Sequence, residues 1–105
     1  MTDTHDQDPK NPAGFNDLCD AFLHLENTDE CRSFLTDLCT PAEIKALSER
    51  WVIARMLDQG NASYRDISAT TGASTTTVGR VARFLEKEPF HGYRLILERM
   101  KKTQT

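Results

Sequence analysis

Apolar residues recur at helical spacing from Phe15 to Leu25: Phe15, Leu18, Cys19, Phe22 and Leu25, with Asp17, Asp20 and His24 between them. That pattern predicts an amphipathic helix. Asn27-Thr28-Asp29 interrupts it, and Thr28 is the expected N-cap of a short second helix carrying Cys31, Phe34, Leu35 and Leu38. Thr40-Pro41-Ala42-Glu43 then places a capping hydroxyl, a proline at the first helical position and a glutamate three residues past the cap. The helix it opens carries Ile44, Leu47, Trp51, Ala54 and Leu57 on one stripe, widened by Ala46, Ile53 and Met56. Such an apolar circumference predicts a central helix. Gly60 is its expected left-handed C-terminal residue.

Ser63 and Asp66 form a second box pattern, opening a short helix with Tyr64, Ile67 and Ala69 that stops at Thr70-Thr71-Gly72. Ser74 is the expected cap of a fifth helix, with Val78, Val81, Ala82 and Leu85 facing inward. Glu88-Pro89 ends it, because the residue before proline avoids the helical region. Pro89 is expected to open a last helix containing Phe90, Tyr93, Ile96, Leu97 and Met100, with Lys101 and Lys102 at the end that favours cations. No window alternates with period two. The pattern therefore predicts an all-α chain: one domain over residues 14–102 behind a polar arm, residues 1–13, expected to be disordered.

The chain has 105 residues and is 38% hydrophobic, which makes a thin core. Merging two such cores in a dimer is one remedy, though composition does not select it. The net charge of −3 argues against a polyanionic partner, but its distribution does not. Residues 1–62 carry 5 Lys/Arg against 12 Asp/Glu, while residues 63–105 carry 8 against 4. A basic half can concentrate a polyanion locally; it is also what a merely solvated face looks like.

Three cysteines, Cys19, Cys31 and Cys39, without CxxC spacing fit free thiols in a reducing, cytoplasmic compartment. The acidic start is unlike a signal or transit peptide, and no apolar run reaches the roughly 18–20 residues that cross a bilayer. His5, His24 and His91 are dispersed, Cys19 and His24 do not share a helix face, and Cys31 and Cys39 lack zinc-site spacing. Neither catalysis, a metal nor a cofactor is expected.

What remains is the stretch 63–87: a two-turn helix, a glycine-containing turn and a second capped helix, which is helix-turn-helix grammar. In that motif the second helix enters the major groove with its N-terminal residues against base edges. The candidate DNA-facing residues are Tyr64, Arg65, Ser68, Ser74, Thr75, Thr76, Thr77, Gly79, Arg80 and Arg83. Threonine hydroxyls serve several base edges, and their methyls pack on thymine. Arginines suit phosphates. Gly79 in a helix interior costs about 1 kcal/mol relative to alanine, so it needs a reason. A purely structural αα-hairpin with a capped, solvated start would show the same residues. So would a protein-interaction module docking on the transcription machinery, which high salt would not dissociate as it does a DNA complex.

From Leu38 to Leu85 the chain resembles the Trp repressor (TrpR) superfamily, and more narrowly its TrpR-like YerC/YecD group. The resemblance is carried without gaps by Thr40-Pro41-Ala42-Glu43, Arg50, Gly60, Ser63-Tyr64-Arg65-Asp66-Ile67, Thr71-Gly72-Ala73-Ser74 and Thr76-Thr77-Val78-Gly79-Arg80. It implies six helices, an intertwined homodimer and a repressor that binds a palindromic operator in double-stranded DNA. It also implies an effector pocket, onto which Thr40, Arg50, Arg80, Val81 and Phe84 map. In Trp repressor two arginines sandwich the corepressor's indole, and Arg50 and Arg80 match them. Val81 and Phe84 stand where that pocket has a glycine and a serine. Phe84, one turn from Arg80, is expected to fill the indole's space, so free tryptophan is not the expected effector.

Overall fold

The computed structural model describes residues 11–104, and every regular element among them is a helix. Of the expected arm, residues 1–10 lie outside the described residues. Residues 11–13 lead into the first helix, where Phe15 N–H donates to the Pro12 carbonyl at 3.2 Å. The chain divides into two compact units, one ending at Thr40 and the other beginning at Pro41.

The first unit holds α1 (Phe15–Phe22) and α2 (Thr28–Leu38). α1 stops one turn earlier than its apolar spacing predicts. Leu23 N–H is shared between the Cys19 and Asp20 carbonyls, and His24 and Leu25 donate to Ala21 and Phe22, three residues back. This tightening of the last turn satisfies the terminal carbonyls but unwinds the helix. Leu23 is left 82% exposed. Asn27, not Thr28, caps α2: its side-chain oxygen accepts from Glu30 N–H at 2.9 Å, while Glu30 Oε1 accepts from Glu26 N–H at 2.9 Å. Thr28 becomes the first helical residue. Phe22 meets Phe34 edge to face at 5.4 Å. Neither helix has a buried residue.

The second unit holds α3 (Pro41–Gln59), α4 (Tyr64–Thr71), α5 (Thr75–Glu86) and α6 (Gly92–Gln104). α3 begins at Pro41 and is followed by left-handed Gly60, φ 77°, as the sequence predicts. Its Ile53 and Ala54 join Ile67 of α4, Ala73 of the turn and Val78 and Val81 of α5 in one core, with Trp51, Met56, Leu57, Ala62 and Tyr93 packed around them. Ile53, Ile67, Val78 and Val81 are all 0% exposed. Each such side chain contributes about 1.5–3 kcal/mol through burial, so this small cluster fixes how α5 lies on α3 and α4.

α6 starts later than expected. Lys87 and Glu88 N–H both donate to the Arg83 carbonyl, closing α5, and His91 takes φ 60°. A left-handed residue cannot belong to a right-handed helix, so Pro89 and Phe90 fall in the connection and Phe90 is 73% exposed. Of the apolar face expected on the last helix only Leu97 is buried; Tyr93 is half-buried, while Ile96 and Met100 are exposed. α6 is held to α3 partly by polar contacts instead. Asp58 pairs with Arg94 at 3.3 Å and with Lys101 at 2.7 Å, and Trp51 stacks on Tyr93 at 6.5 Å. Among the described residues no helix is long and apolar enough to cross a membrane, and no cluster of His, Cys, Asp and Glu is placed to hold a metal ion.

Candidate nucleic-acid interface

The two helices of the 63–87 stretch are fixed at both starts by their own side chains. Ser63 Oγ accepts from Asp66 N–H at 3.1 Å, and Asp66 Oδ2 accepts from Ser63 N–H at 3.2 Å, a reciprocal box. Ser74 Oγ accepts from Thr77 N–H at 3.1 Å and lies 3.1 Å from the Thr77 hydroxyl. Gly72, φ 80°, ends α4 in the left-handed conformation glycine tolerates, with its N–H donating to the Ser68 carbonyl at 2.9 Å.

Between Gly72 and Ser74 the turn is locked by two hydroxyls. Thr71 Oγ1 donates to the Ile67 carbonyl at 2.8 Å and accepts from Ala73 N–H at 3.2 Å. Ser68 Oγ donates to the Ala73 carbonyl at 2.5 Å. Both polar groups of Ala73, a residue only 6% exposed, are thereby satisfied by α4. The angle between α4 and α5 is set by this bonding together with the Ile67–Val78 core.

With its apolar face inward, α5 turns Thr75, Thr76, Arg80 and Arg83 to solvent, and Thr77 and Gly79 lie half-buried at the margin. Tyr64, 47% exposed, and Arg65 stand at the start of α4. α5 has no acidic residue in its first turn, so the positive end of its dipole is not offset there. Ser68 is half-buried, and its hydroxyl proton is committed to the turn. Ser74 is exposed but serves as the cap. Thr77 shares its hydroxyl with that cap.

The residues mapped onto an effector pocket differ in exposure. Thr40 is exposed at the end of the first unit, and Arg50 is half-buried on α3. Val81 is 0% exposed inside the core. Phe84 is engaged by its neighbours in sequence: the Arg80 guanidinium carbon lies 4.4 Å and that of Arg83 5.2 Å from its ring centre, and Phe90 of the following connection stacks on it at 6.2 Å.

Sequence reasoning missed Lys87 and Glu86, which join Tyr64, Gly79, Ala82 and Arg83 around a cleft between α4 and α5. Helical periodicity from Gly79 through Arg83 to Lys87 carries that signal, but only the packing of α4 shows that a cleft results.

The model of the Trp repressor protein family matches residues 13–101. YerC of Bacillus subtilis (strain 168), an uncharacterized protein, is 43% identical over 88 residues, 84% of this chain and 83% of that one. A crystal structure of a candidate Trp repressor from Staphylococcus aureus superposes with a TM-score of 0.79 at 40% identity, covering 96% of both chains. A TrpR-like protein from Eubacterium eligens ATCC 27750 gives 0.75 at 41% identity, over 82% of this chain and 87% of its own. With its six helices, the chain belongs to the Trp repressor family.

Proposed function

We propose that the protein is a sequence-specific DNA-binding regulator of transcription, a repressor acting as a homodimer on a palindromic operator. The observation that carries this reading is the outward placement of Thr75, Thr76, Arg80 and Arg83 on a helix whose opposite face is sealed in the core. Thr75 and Thr76 meet base edges at the N-terminal end of α5; Arg65, Arg80 and Arg83 meet phosphates and fix the register. Dimerisation is supported by α1 and α2, which have no buried residue and leave Phe15, Phe22, Leu23 and Leu38 exposed. A second copy is the economical cover for that surface.

The reading does not require tryptophan. The ring of Phe84 lies under the same Arg80 guanidinium that the family resemblance would assign to an indole. Calorimetry should register no micromolar tryptophan binding, and a tight tryptophan-dependent gain in DNA affinity would reverse this point.

Selection from a random duplex pool tests the main reading. It should enrich a palindrome with half-sites about one helical turn, roughly 34 Å, apart. Affinity for that duplex should fall steeply with salt. A pool that stays random, or binding insensitive to salt, would refute it and favour a protein-docking module.

A further inference from the structure

We propose that the cleft between α4 and α5 seats one phosphodiester of the DNA strand, and that Gly79 is glycine so that the phosphodiester can reach the helix backbone. This rests on the DNA-binding reading above and adds a specific contact to it. The cleft has a volume of about 230 Å³ and is lined by Tyr64, Gly79, Ala82, Arg83, Glu86 and Lys87.

Nothing among the described residues requires a glycine at position 79. It is helical, outside the left-handed region occupied by Gly14, Gly60 and Gly72. A Cβ built there meets no atom within 4 Å, so no neighbouring side chain or backbone needs the space. The position is mid-helix, where glycine is a poor helix former and alanine the best. Half-buried at the margin of α5, it lines the cleft, one turn after Thr75 and Thr76 and one turn before Arg83. A group approaching from outside explains what internal packing does not.

The walls identify that group. Arg83 and Lys87, one turn apart, bring two cations to one edge, and Tyr64 at the start of α4 brings a phenol. The floor, Gly79 and Ala82, is small and apolar. Cations and a hydroxyl over an apolar floor suit a phosphate oxygen with its attached deoxyribose. Glu86 on the same rim is the wrong charge for this ligand, which fixes the sign of one test.

The experiment measures anisotropy of the labelled pool-selected duplex across a salt series, beside thermal melts, for the full chain and three variants. Gly79→Ala should melt at least about 4 °C higher, yet bind DNA about tenfold more weakly. Lys87→Gln should leave melting unchanged and reduce the log–log salt slope by about one. Glu86→Gln should tighten binding. Inorganic phosphate alone, at constant ionic strength, should neither stabilise the protein nor displace DNA, which separates a strand contact from a free-anion site.

If Gly79→Ala binds as tightly as the wild type, or melts lower, the assignment is overturned. It is overturned too by an unchanged slope in Lys87→Gln or by displacement with phosphate. If the wild type binds no duplex, the DNA reading fails first and the cleft assignment falls with it.

Discussion

Thr71→Val tests whether the turn between α4 and α5 is held as described. The two side chains are nearly the same shape, so packing is kept while one hydroxyl is lost. That hydroxyl donates to the Ile67 carbonyl at 2.8 Å and accepts from Ala73 N–H at 3.2 Å. The Ile67 carbonyl retains its helical partner. Ala73 N–H does not, and with Ala73 6% exposed, water reaches it poorly. An unsatisfied, partly buried N–H costs about 1–3 kcal/mol. Thr71 is itself half-buried, so the lower part of that range, about 1–2 kcal/mol, applies. For a domain of this size each kcal/mol moves the melting temperature by about 4–8 °C. Thermal denaturation by circular dichroism should therefore show a fall of roughly 4–16 °C. Ser68→Ala, which removes the donor to the Ala73 carbonyl, should behave alike, whereas Thr76→Val should melt as the wild type does. In DNA binding the pattern reverses. Thr76→Val changes base preference, while Thr71→Val and Ser68→Ala lower affinity without changing the preferred sequence or the salt slope. A Thr71→Val protein as stable as the wild type would refute the reasoning.

Ile67→Ala, at a 0% exposed position between α3 and α5, should cost about 2–5 kcal/mol and show as a lower urea midpoint. Asp58→Asn keeps the side-chain shape but ends both ion pairs to α6. Since Arg94 and Lys101 are 41% and 63% exposed, the loss should be only about 1 kcal/mol, and it should shrink at high salt. Phe84→Ser removes the ring stacked on Phe90 and covered by two guanidinium groups. Differential scanning calorimetry should show a loss of about 1–2 kcal/mol, with weaker DNA binding that tryptophan does not restore. Arg65→Ala should leave stability unchanged and lower the salt slope of DNA binding by about one.

The starts of α3, α4 and α5 were legible because the residues that set them are local. Pro41, the Ser63–Asp66 box and Ser74 act within a single turn, and Gly60 and Gly72 adopt the left-handed backbone that marks a helix end. The apolar stripe of α5 was legible for a related reason: Val78, Val81, Ala82 and Leu85 repeat at helical spacing and are all buried. Boundaries set by competing local bonds were not. Leu25 continues the apolar rhythm of α1, yet the chain tightens after Phe22, and Asn27 takes the cap that Thr28 could also have filled. Pro89 reads as a helix start, but left-handed His91 postpones α6. Contacts between residues distant in sequence left no trace. Asp58 lies 36 residues before Arg94, and nothing near either residue announces their pairing. In the candidate site, Ser68 reads as a DNA-facing residue of the helix-turn-helix, and its hydroxyl donates to the Ala73 carbonyl, a bond that no local pattern announces. Val81 maps onto a pocket position by resemblance, and the structure places it in the core.

Nuclear magnetic resonance of isotope-labelled protein titrated with the selected duplex asks most directly which surface meets DNA. Amide and methyl shifts should change most at Thr75, Thr76, Gly79 and Arg80, with lesser changes at Tyr64 and Arg65 and little change on α6 distant from this face. Shifts confined to α6 or to α1 and α2, with those of α5 unmoved, would contradict a reading helix at this position.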